Sequence, residues 1–109
     1  MHITFVKKIT ADGLPCRKCI EVHERLKGAN LLERIDNIVT ADERDAASEG
    51  MTLAREYEVD RAPFFLVRDE ANAVRVYTSY FRFVKEVLNR EVSETDAVDE
   101  MMEQVPDFL

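Results

Sequence analysis

Apolar positions recur along the first four-fifths of the chain with two different periods. Ile3 to Ile9 is rich in β-branched and aromatic residues and predicts a strand. Ala11-Asp12-Gly13-Leu14 predicts a loop, and Pro15 suits the opening of a helix, where its missing N–H is no loss. Cys16, Cys19, Ile20, His23 and Leu26 then recur at helical spacing, with Gly28 as the C-cap. Ile35 to Val39 predicts a second strand despite Asp36-Asn37, and Thr40 to Ser48 a polar connection. Met51 to Tyr57 predicts a helix with Met51, Ala54 and Tyr57 on one face. Phe64-Phe65-Leu66-Val67 is a short apolar run suited to a buried strand. A turn at Asp69-Glu70-Ala71-Asn72 leads to a hairpin partner, Ala73 to Tyr77. Ser79 can cap a last helix, Tyr80 to Asn89, with Phe81, Val84 and Leu88 facing inward. The order is β-α-β-α-β-β-α, an α/β chain. The β-α-β start implies a parallel pair with a right-handed crossover, and the closing hairpin makes a mixed four-stranded sheet.

Composition agrees with one packed domain. The chain has 109 residues, 46% of them apolar, which is enough for a core. No apolar run approaches 18 residues, so no membrane span is expected. The start, Met1-His2-Ile3-Thr4-Phe5-Val6-Lys7-Lys8, puts its apolar residues before its lysines and does not read as a signal peptide. A cytoplasmic protein is expected. The net charge of −7 argues against a nucleic-acid binder that relies on overall positive charge. That charge is uneven. Residues 90–109 hold Arg90 against seven acids, so the tail carries −6 and residues 1–89 only −1. The shift divides the chain into a domain over residues 1–89 and an acidic tail over 90–109. In the tail, Ser93-x-x-Asp96 resembles a capping box, and Ala97, Val98, Met101, Met102 and Val105 form an apolar stripe that Pro106 stops. Residues 94–105 are read as a short amphipathic helix. It either docks on its own domain or, through its methionines, on a partner protein.

The only two cysteines, Cys16 and Cys19, stand in Pro15-Cys16-Arg17-Lys18-Cys19. In a reducing compartment such a pair is an improbable structural staple. The spacing puts both sulfurs at the start of a helix, where unpaired N–H groups and the helix dipole favour negative charge. Arg17 and Lys18 add two cations and are read as thiolate-tuning residues. The thiolate is the nucleophile of disulfide exchange, so Cys16 can attack and Cys19, one turn deeper, can resolve the mixed disulfide. A CxxC also serves metal and iron–sulfur sites. His23 extends it to Cys-x2-Cys-x3-His on one helix, but His2 is the only other histidine and no second CxxC exists. His23 is read as a helix residue without chemical role. No metal site and no cofactor are assigned, although metal or cluster binding through the CxxC, including across a dimer, stays as an alternative.

A CxxC after a first strand, opening the first helix of such a chain, resembles the thioredoxin/glutaredoxin superfamily. A second segment, Leu53 to Val67, is similar to the thioredoxin stretch in which a helix ends and leads into a cis-proline and a strand. The resemblance covers residues 3 to 89 and implies a glutaredoxin-sized, thioredoxin-like fold. It implies that Pro63 is a cis-proline packed beside the cysteines, and that the Ala62 backbone pairs with an extended substrate segment. There are departures. The buried carboxylate that thioredoxins carry six positions before the first cysteine is Thr10 here, and there is no tryptophan. Arg17-Lys18 replaces the glutaredoxin Pro-Tyr, and Gly13 stands where many glutaredoxins have a lysine. Thr78-Ser79-Tyr80-Phe81 replaces the segment that grips glutathione, so glutathione recognition is not supported. The expected function is thiol–disulfide exchange between Cys16-Cys19 and a protein disulfide, with an unidentified electron donor. The alternative is a thioredoxin-like protein-binding module that uses the acidic tail.

Overall fold

The β-branched run at the start forms β1 (His2–Ile9), the strand around which the sheet is built. Helix α1 (Arg17–Gly28) follows, then a single 3-10 turn at Leu32–Arg34, strand β2 (Asn37–Asp42) and helix α2 (Glu49–Glu56). Strands β3 (Phe64–Arg68) and β4 (Val74–Tyr77) and helix α3 (Tyr80–Glu86) complete the order. These elements belong to a computed structural model that describes residues 1–88. The expected tail boundary, the amphipathic helix over 94–105 and its docking role lie outside the described residues. A mixed four-stranded sheet with three helices is present, as expected. Its strand order is β2-β1-β3-β4, with β1 parallel to β2 and antiparallel to β3, and β3 antiparallel to β4.

The sheet has two differently covered faces. On one, Ile3 and Phe5 of β1 and Phe65 and Val67 of β3 pack against Val22 and Leu26 of α1 and Phe83, Val84, Val87 and Leu88 at the chain's α3 end. An aromatic stack runs through this layer. The Phe5 and Phe65 rings lie 4.9 Å apart, and those of Phe65 and Phe83 lie 3.8 Å apart and nearly parallel. Large buried rings of this kind dominate core energetics. On the other face, Val6, Val39, Ala41, Phe64 and Leu66 pack against Ala54 of α2.

Several expected details differ. Strand β2 begins later and runs into the polar segment, through Thr40-Ala41-Asp42. Asp36 does not sit in the strand but clamps it. Its carboxylate accepts the Ile3 amide hydrogen at 2.7 Å, and its own amide donates to the Ile3 carbonyl. Helix α1 runs through Gly28; Ala29 caps it, and the left-handed residue is Asn30 (φ 59°). Asn and Asp tolerate that region better than other side chains, so asparagine replaces the expected glycine stop. On α1 the buried residues are Cys19, Val22 and Leu26, while Ile20 is 49% exposed. On α3 the buried ring is Phe83 rather than Phe81, because the helix closes at Glu86 and presents Phe83, Val84, Val87 and Leu88 to the sheet.

Ser79 does cap α3. Its hydroxyl accepts the Arg82 amide hydrogen at 3.1 Å. Ser79→Ala should therefore lower stability by about 1 kcal/mol, the usual cost of a lost N-cap. Urea unfolding of the two proteins measures it, and an unchanged midpoint would mean that the cap carries no energy.

Candidate active site

The loop between β1 and α1 sets the position of the first cysteine. Thr10 and Asp12 hydrogen-bond through their side chains, and Asp12 also accepts the Leu14 amide hydrogen. These bonds hold the Asp12 carboxyl below the usual carboxylate range, the Thr10 hydroxyl contributing most. Pro15 does not open the helix; it lies before the cap and bridges Ile9 of β1. The cap itself is Cys16, in an extended conformation. Its sulfur accepts the Cys19 amide hydrogen at 3.4 Å, taking one of the hydrogens that the helix start leaves without a backbone acceptor.

The backbone of one β1 residue, Lys8, bonds to both cysteines. The Cys16 N–H donates to the Lys8 carbonyl at 2.9 Å, and the Lys8 N–H donates to the Cys19 sulfur at 3.3 Å. Cys16 is 6% exposed and Cys19 2%, so both residues are buried. No disulfide joins them. Ala62 packs with the two cysteines in one small cluster, 3% exposed, and the Ala62–Pro63 peptide is cis. Residues more than forty positions apart in sequence thus meet at one end of the sheet. Arg17 is almost wholly exposed and pairs with Glu21 across one helical turn at 3.9 Å; Lys18 is half-buried. A solvent-exposed pair of this length is worth little.

Lys8 was not legible as part of this site. Nothing distinguishes it from Lys7 in sequence, because its role is carried by its backbone. Its side chain is 5% exposed and pairs with Glu43 at 3.5 Å. Beside Cys19 opens a cleft of about 310 Å³, whose lining includes Lys7, Lys8, Ile20, His23, Glu24 and Thr40. Exposed Leu14 and Ile20 give the surroundings of the CxxC an apolar character.

Among the described residues no group of three or more His, Cys, Asp or Glu side chains is placed to hold a metal ion, so Cys16, Cys19 and His23 do not form one together. Among the same residues no helix is long and apolar enough to cross a membrane. No protein-family model matches the chain, and comparison with curated proteins and with solved structures gives no match.

Proposed function

We propose that this chain is a thiol–disulfide oxidoreductase of thioredoxin-like architecture acting on protein disulfides. The observation that carries the reading is the placement of Cys16 as the N-cap of α1, with Cys19 one turn on and Ala62 packed against both. A helix start favours a thiolate over a thiol, and the thiolate is the attacking species. Cys16 attacks one sulfur of the substrate disulfide and forms a mixed disulfide, releasing the first substrate thiolate. Cys19 then attacks the Cys16 sulfur, breaks the bond to the substrate and closes the Cys16–Cys19 disulfide. Two electrons pass from the pair to the substrate, and an external thiol donor restores the dithiol. The Ala62–Pro63 segment forms one wall of the substrate groove, and Leu14 and Ile20 offer apolar contacts to an extended peptide. A protein substrate fits an open, apolar-rimmed site of this kind better than a small ion does.

An equilibrium redox titration of metal-free protein tests the reading. A reversible two-electron couple should appear within the range of thioredoxin-type pairs, roughly −270 to −120 mV. A potential near the low end assigns a reductant, and one near the high end an oxidant or isomerase. Absence of any reversible couple would remove the proposal.

A further inference from the structure

His23 lies one helical turn beyond Cys19 on α1, at the i,i+4 spacing that brings side chains to the same face. Both residues line the same cleft of about 310 Å³. The His23 Nδ1 atom is buried and has no hydrogen-bond partner. A buried polar atom is ordinarily paired, and one that is not calls for a reason. In the neutral Nε2–H tautomer Nδ1 is an acceptor, so His23 carries an unused base one helical turn from a buried thiol.

The proposed reaction needs such a base. Cys19 must lose its thiol proton before it attacks the mixed disulfide, and at 2% exposure bulk water does not readily take that proton. The Cys19 sulfur already accepts the Lys8 amide hydrogen, which favours its charged form but removes no proton. The other polar residues around the cleft serve poorly. Lys7 from β1 and Lys8, which pairs with Glu43, present ammonium groups that only donate. Thr40 from β2 is a hydroxyl, and Glu24 from α1 is an exposed carboxylate. Imidazole as a class is more basic than a carboxylate and can accept a thiol's proton near neutral pH. From β1 the Phe5 ring, 6.2 Å from the imidazole between centroids, supplies an apolar neighbour.

We infer that His23 is the general base for Cys19, taking its thiol proton when the half-buried imidazole turns toward the sulfur within the cleft that both residues line. The step balances simply. The Cys19 proton passes to Nδ1, and the thiolate attacks the Cys16 sulfur. The Cys16–substrate bond breaks, and the substrate sulfur leaves as a thiolate that the imidazolium or solvent can protonate. This inference rests on the proposed exchange reaction and adds the group that drives its second half.

A stopped-flow reaction with the aromatic disulfide 5,5′-dithiobis(2-nitrobenzoate) separates the two halves, because each attack releases one coloured thiolate. In His23→Ala the first release, by Cys16, should be unchanged. The second, by Cys19, should slow by about tenfold or more at pH 7, the scale of a lost general base. The variant's second step should then climb with pH through the thiol range, where wild type has already levelled off. Added imidazole, small enough for the vacated cleft, should restore part of the rate. His23→Gln, closer in size, should show the same pH profile if His23→Ala packs poorly. A second release unchanged in rate and pH profile would overturn the inference while leaving the exchange reaction intact. Equal slowing of both releases, without imidazole rescue, would assign His23 to packing and overturn it as well. No first release in wild type would remove the attacking role of Cys16, and this inference with it.

Discussion

Cys16→Ser is expected to bring disulfide exchange down to the uncatalysed background, a loss of at least about 10³-fold as for other enzymes stripped of their nucleophile. Cys19→Ser is expected to do something different. The geometry separates the two. Cys16 sits at the helix cap, the more exposed of the pair, with its sulfur at the first unpaired amide hydrogens. Cys19 sits one turn inside, 2% exposed, with its sulfur on the Lys8 amide. In the proposed mechanism the incoming disulfide meets Cys16, at the helix cap, first. When serine replaces Cys19, attack still occurs but nothing resolves it, since a serine hydroxyl is far less acidic and less nucleophilic than a thiol. The mixed disulfide should accumulate and appear as a covalent adduct on non-reducing gels and by mass, released by added dithiol. Wild-type turnover in Cys16→Ser would sink the mechanism. Adducts trapped by Cys16→Ser in place of Cys19→Ser would exchange the two roles.

The site was legible in sequence as far as side-chain chemistry announces itself. A CxxC at a helix start and a proline before an apolar strand are local patterns, and the structure brings Cys16, Cys19 and Ala62 into contact. What escaped was carried by backbone or by phase. Lys8 matters through its N–H and C=O, which every residue has. His23 reads as an ordinary helix residue until the cleft and its orphaned Nδ1 come into view. Ile20 and Phe81 are as apolar as Val22 and Phe83, and only the docking angle of each helix on the sheet decides which pair is buried. Strand β2 shows the same limit. Ala41-Asp42 has little intrinsic preference for a strand, yet pairing with Lys8 and Ile9 holds it in the sheet. Tertiary context overrides propensity there, as strand propensities commonly allow.

Gly50→Ala is expected to destabilise the domain by about 3 kcal/mol or more, at the upper end of overpacking costs. Gly50 lies in the first turn of α2 and is buried against β2. A Cβ there would stand 2.3 Å from the Ala41 nitrogen, 2.5 Å from the Thr40 carbonyl carbon and 2.6 Å from the Ala41 Cα. All three atoms are backbone, so no side chain can turn aside; the helix must lift off the strand. The damage would reach the site. Ala41 pairs with Lys8, and the Lys8 backbone bonds to both cysteines. For a domain of this size such a loss lowers Tm by on the order of 15 °C. Gly28→Ala is the control, since nothing lies within 4 Å of its added Cβ and it already sits in a helix. There alanine should be neutral or slightly stabilising. Thermal unfolding of the two variants side by side decides the matter. If Gly50→Ala lowers Tm no more than Gly28→Ala does, α2 does not rest on the backbone of β2, and the route from that helix to the cysteines is not as described.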